Sequence, residues 1–113
     1  MTFREPIGVV GVITPWNFPL PIASWSIAPA LAAGNAVIVK PASMTPLSTR
    51  FLGELAETVT PVPHLLQVVT GGGAAVGGAL IDDMRVGKIG FTGSTEVGRS
   101  ILSSSAATMK RVT

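Results

Sequence analysis

Four short apolar runs, evenly distributed along the chain, limit the folds open to it. They read "IGVVGVI" (7–13), "AVIVK" (36–40), "LQVVT" (66–70) and "VGKIGF" (86–91). The first is β-branched and continuously apolar, the pattern of a strand covered on both faces; the second reads as another buried strand, and the last two as a third and a fourth strand. Between them lie helix-like stretches: Ile22–Ala33, a segment from Leu47, one from about Ala74, and one from about Ser94 to Ala107. Gly34-Asn35 closes the first, and Pro29 is expected to kink it or mark a fresh start. The second has Thr45 as its expected N-cap and Pro46 in its first position. Leu47, Phe51, Leu55 and Val59 place an apolar stripe on one face of it, with Arg50, Glu54 and Glu57 off that face. "KRVT" at the end reads as the start of a fifth strand. Strand and helix alternating four times predict an α/β fold: an open parallel sheet, right-handed crossovers and helices on both faces.

The composition agrees. Hydrophobic residues are 47% and charged residues 12% of 113 residues, which suits one largely buried sheet. No charge lies between Glu5 and Lys40. A spanning helix needs about 20 mostly apolar residues with internally bonded backbone. Pro15, Pro19, Pro21 and Pro29 cut the segment too finely for that, so a buried strand, loop and helix is expected and no membrane partner. Net charge is +2 without a basic cluster, so no nucleic-acid partner is expected. "MTFREP" has no apolar core of a signal peptide. The absence of cysteine excludes disulfides, thiolate metal sites and a cysteine nucleophile within these residues. With His64 the sole histidine, zinc sites built on two histidines are excluded and no metal is expected.

In an open parallel sheet, ligands sit beyond the carboxyl ends of the strands. The segments there are "TPWN", "KPAS", "TGGG" and "TGS". "GFTGSTEVGRS" (90–100) imitates a phosphate-binding P-loop, with Arg99 where lysine belongs. It follows the fourth strand rather than the first, no acid lies after Ser100 to hold magnesium, and arginine replaces a compact charge poorly. A P-loop hydrolase is therefore the remote alternative. "GGGAAVGG" (71–78) admits two readings, phosphate contact or close packing of a helix on the sheet. Asn17, set between prolines in "TPWNFP", either bonds its own turn or is aimed by it. Lys40 ends a buried strand before Pro41, and is either pinned at the ligand rim or snorkels to solvent. His64 reads as a loop residue.

The combination is specific where its parts are not. "EPIGVVGVITPWNFPL", "PALAAGNAVIVKPAS", "TPLS" and "IGFTGSTEVGR", in this order and spacing, resemble the aldehyde dehydrogenase superfamily over essentially the whole chain. The resemblance implies a Rossmann-like nicotinamide-cofactor domain occupying residues 1–113 in part, with the catalytic domain absent. It makes "FTGSTEVG" a cofactor turn. It assigns Asn17 the catalytic role of donating its amide to the oxyanion formed when a cysteine attacks an aldehyde. Thr14, Pro15 and Trp16, together with Phe91, fall to the nicotinamide side. Lys40, with Pro41, Ala42 and Ser43 of the same segment, falls to the adenosine ribose. Gly73, Gly77 and Val97 fall to the adenine, and Gly93 and Ser94 to the pyrophosphate. Ser43 stands where many NAD-preferring relatives carry glutamate, and a hydroxyl can donate to a 2′-phosphate, so NADP is expected to be tolerated beside NAD. The cysteine nucleophile is missing, and the general-base glutamate would fall past Thr113. The chain thus looks like an internal piece of a cytoplasmic enzyme whose intact relatives are homo-oligomers and take small-molecule aldehydes. Alone it is expected to be inactive, which leaves a non-catalytic dinucleotide-binding module as the alternative description.

Overall fold

The computed structural model describes residues 1–113 and contains five strands, all parallel. In chain order these are β1 (Val9–Ile13), α1 (Pro19–Ala32), β2 (Ala36–Lys40), α2 (Leu47–Val59), β3 (Leu66–Val68), a π-helical turn (Gly73–Gly77) running into α3 (Gly78–Asp82), β4 (Val86–Phe91), α4 (Thr95–Ala106) and β5 (Arg111–Val112). The sheet order is β3-β2-β1-β4-β5. The chain winds outward from β1 to β3, then crosses back to place β4 on the other side of β1. That reversal puts the topological switch point between β1 and β4, where open sheets of this kind hold their ligands.

The reversal also divides the helices between the two faces, as the alternation predicts. Val10, Val12, Val37, Val39 and Leu66 form a core with Ala23 and Ile27 of α1, and Leu52 and Ala56 of α2 pack on it. On the opposite face Val86 and Ile89 are buried with Leu80 of α3 and Ile101 of α4. Strand β1 pairs in register with β2, Val9 to Ala36 through Ile13 to Lys40. Its pairing with β4 slips by one residue at Gly87. No helix is long and apolar enough to cross a membrane.

Two local expectations are corrected. First, α1 begins at Pro19, three residues before the expected start, and runs unbroken through Pro29. It ends where expected: Gly34 takes φ 80°, and its N–H donates to the Leu31 carbonyl at 2.9 Å. Asn35 then ties the helix end to the sheet, its Nδ2 donating to the Ala30 carbonyl and its Oδ1 accepting from the Gly8 N–H at 3.0 Å. Second, the cap of α2 is Pro46 rather than Thr45, and the Thr45 hydroxyl instead donates to the Trp16 carbonyl at 3.4 Å. The apolar stripe of α2 lies on one face as expected, and that face points away from the sheet, with Leu47 78% and Phe51 66% exposed. The sheet takes the small face, because α2 lies so close that a Cβ on Gly53 would fall 2.8 Å from Val68 Cγ2.

That small face carries a buried mismatch. Thr49 is fully buried and its Oγ1 has no hydrogen-bond partner. Thr49→Val removes the unmatched hydroxyl at nearly constant shape, so urea denaturation should show a gain of about 1 kcal/mol.

Candidate functional site

Because every strand is parallel, the tips after β1, β2, β3 and β4 share one rim, and backbone hydrogen bonds tie neighbouring tips together. The Thr14 N–H donates to the Lys40 carbonyl at 3.2 Å, and the Thr92 N–H to the Ile13 carbonyl at 3.1 Å. The Val69 N–H donates to the Val39 carbonyl at 2.9 Å. The Ser43 hydroxyl reaches the Gly71 carbonyl at 3.0 Å. The "TPWN", "KPAS", "TGGG" and "TGS" segments therefore form one continuous edge.

Lys40 is 4% exposed. Its Nζ donates to the Pro41 carbonyl at 2.8 Å, so the amine is turned back along the rim. A Cβ built on Gly77 would lie 3.8 Å from Lys40 Cδ and 3.8 Å from Ile13 Cδ1, which brings the glycine-rich turn against the lysine stem. Desolvation by burial holds the amine below the ordinary lysine pKa. Thr14 is buried and its Oγ1 is unpaired. Asn17 is exposed in a turn held from outside by Thr45 rather than by its own side chain.

At the next tip, Ser94 caps α4, its Oγ accepting from the Val97 N–H at 3.3 Å. The N–H groups of Thr95 and Glu96 then open on the rim at the positive end of a 12-residue helix, a favourable seat for an anion. The Phe91 ring lies over this turn. A Cβ on Gly93 would sit 2.5 Å from its Cζ, so only glycine fits beneath the ring. Phe91 thus packs against the glycine turn after β4, one tip along from Asn17.

Between the π-helical turn, α3 and α4 opens a cleft of about 410 Å³. Gly73, Gly77 and Val97 line it, three of the residues assigned to the adenine. Ile81, Ser100 and Ser104 line it as well and were missed in the sequence. A signal for the serines existed: Val97, Ser100 and Ser104 recur at helical spacing on one face of α4. Ser43 is found in a different state from the one assumed. Its proton is given to Gly71, so the oxygen presents lone pairs to the rim unless that bond breaks.

These features suit a dinucleotide. A helix N-terminus faces the rim, a buried lysine and an unpaired buried hydroxyl are placed along it, and a cleft with glycines on one wall lies between the π-helical turn, α3 and α4. They define a nucleotide-binding α/β sheet of the doubly wound kind. The chain belongs to the aldehyde dehydrogenase family, whose profile matches residues 1–113. It is 54% identical over 100 residues to aldehyde dehydrogenase B of Escherichia coli strain K12, which covers 88% of this chain and 19% of that one. The NAD+ complex of an aldehyde dehydrogenase from Bacillus cereus superposes with a TM-score of 0.92 at 41% identity, over 96% of this chain and 22% of that one. An NADP-dependent enzyme from Escherichia coli superposes equally, with a TM-score of 0.92 at 45% identity, again over 96% and 22%. The chain spans about a fifth of the length of the relatives it matches.

Proposed function

We propose that residues 1–113 form part of the NAD(P)-binding domain of an enzyme that oxidises an aldehyde to a carboxylic acid. The observation that carries this reading is the tying of the four tips into one rim, the edge to which Asn17, Lys40 and Ser94 belong. Lys40 would bond the adenosine ribose, with Pro41, Ala42 and Ser43 forming the floor of that seat. The cleft bounded by Gly73, Gly77 and Val97 would take the adenine. Gly93 and Ser94 would receive the pyrophosphate on free N–H groups. Thr14, Pro15, Trp16 and Phe91 would border the nicotinamide side, where the unpaired Thr14 hydroxyl gains a partner.

When bound, NAD or NADP supplies the hydride acceptor. The chain's own contribution to the chemistry is the amide of Asn17. Held in a proline-bounded turn, it would donate to the oxygen on which charge develops as a cysteine thiolate attacks the carbonyl carbon. A donor fixed in advance in this way lowers a barrier by about 3–4 kcal/mol. No cysteine lies among these residues, so by itself the chain binds cofactor without turnover.

NADH and NADPH fluorescence titrations test the reading. Enhancement of both, with competition by NAD and none by ATP, is expected. ATP binding without either dinucleotide would move the assignment to a nucleotide hydrolase.

A further inference from the structure

We infer that Lys110 is a positioning residue for the adenosine half of the cofactor, setting the distance between the two walls of its cleft. This rests on the cofactor reading above.

The cleft walls are α3 with its preceding turn, which contribute Gly77, Gly78, Ile81 and Asp82, and α4, which contributes Val97, Ser100 and Ser104. Helix α3 has five residues. So short a helix has no stability of its own, because nucleation is unfavourable and its terminal carbonyls go unmatched. Leu80 anchors it in the core, and a side chain that binds its terminal carbonyls would add a second constraint, one tied to α4.

Lys110 supplies that constraint. Helix α4 ends at Ala106, and the chain reverses through Met109 at φ 53°. The reversal brings the Lys110 N–H to the Ser105 carbonyl at 3.2 Å, fixing its backbone on the end of α4. Its side chain then crosses to the end of α3. There Nζ donates to the carbonyls of Leu80 at 3.4 Å, of Asp83 at 2.8 Å, and of Ile81. An ammonium has three protons and no acceptor, so this fan of carbonyls uses its full capacity. A cation at a helix C-terminus also meets the negative end of the dipole. The residue is therefore bonded by its backbone to one wall and by its side chain to the other. The Asp83 carboxylate is held separately, gripped by Arg85, with the shorter contact at 2.6 Å, and takes no part in the strut.

Loss of the strut should let α3 drift from α4 and widen the cleft, while the β1 and β2 tips keep their places. The adenosine half of the ligand should lose affinity and the nicotinamide half should not.

The experiment compares the unsubstituted chain with Lys110→Met and Lys110→Arg, using ADP-ribose and nicotinamide mononucleotide as separate probes in calorimetric titrations. Hydrogen exchange is followed at residues 78–83 and in β1. In Lys110→Met, ADP-ribose affinity should fall by about tenfold, the lower end of what a charge-assisted hydrogen bond contributes. Mononucleotide affinity should not change, and exchange should quicken at residues 78–83 alone. Lys110→Arg, which keeps charge and donors, should recover most of the loss. Failure of the unsubstituted chain to bind ADP-ribose would overturn the cofactor reading and this inference with it. Equal ADP-ribose affinity in Lys110→Met overturns this inference alone. So does faster exchange throughout β1, which would make Lys110 a residue of general stability.

Discussion

Ile89→Ala lowers the unfolding free energy by about 2–5 kcal/mol, as measured by urea denaturation. Against a total of about 5–15 kcal/mol for a domain, that is a large share. Ile89 is fully buried in the core beneath α3 and α4. It pairs with Gly11 of β1, the middle strand of the sheet. Its side chain folds over that glycine: a Cβ on Gly11 would lie 2.8 Å from Ile89 Cδ1. Truncation therefore leaves a void at the centre of the sheet that neighbours cannot readily close, since β1 and β4 are bonded to each other along it. The pair gives a further test. Gly11→Ala alone should destabilise, because the added methyl meets Ile89. In the Ile89→Ala background the same methyl enters empty space and should return about 1 kcal/mol, a non-additivity that a double-mutant cycle measures. If the two changes simply add, the close approach of Gly11 and Ile89 is not what fixes this part of the core.

How much of this was legible in advance follows from the physics of each element. The long strands were plain because a strand covered on both faces is mostly apolar, and β1 is so throughout while β2 and β4 carry one lysine each. Their parallel arrangement then followed from connection rules, and with it the shared rim of tips, whereas the order β3-β2-β1-β4-β5 came only from the structure. The face of α2 was not legible. Periodicity shows that Leu47, Phe51, Leu55 and Val59 share one side of a helix, but not which way that side points. What decides it is the closeness of α2 to the sheet, read from the contact between Gly53 and Val68. The helix-like stretch from about Ala74 was legible, but not that its first turn at 73–77 is π-helical, because residue types do not show which carbonyl each N–H will choose. Among the candidate residues, those tied to strand ends were legible as rim positions, because topology places them. Lys110 was not, because its partners are the carbonyls of another helix, about thirty residues away in sequence.

Lys40→Met should separate stability from binding, with the two moving in opposite directions. The amine is buried at the rim, and desolvation holds its pKa below the ordinary lysine value. A depressed lysine pKa means that the charged form is disfavoured in the folded chain. The unfolded chain therefore binds more protons between the folded pKa and the unfolded value of about 10.4, and stability rises with pH across that window. Below it the cost of burying the charge is present in full. Methionine has nearly the same stem and no charge, so at neutral pH Lys40→Met should be the more stable protein. Its advantage should shrink as pH climbs through the window, where lysine sheds its proton in the folded state. Binding should go the other way. Loss of a charged donor to the ribose should weaken NADH and NADPH by about ten- to a hundredfold. A residue that costs stability and is needed for the ligand is what a functional site predicts; a lysine that merely snorkels at a strand end predicts neither effect. Denaturation curves for both proteins across pH 7 to 11, with cofactor titrations at pH 7, decide between them. Equal stability at pH 7 together with undiminished cofactor affinity would remove Lys40 from the site.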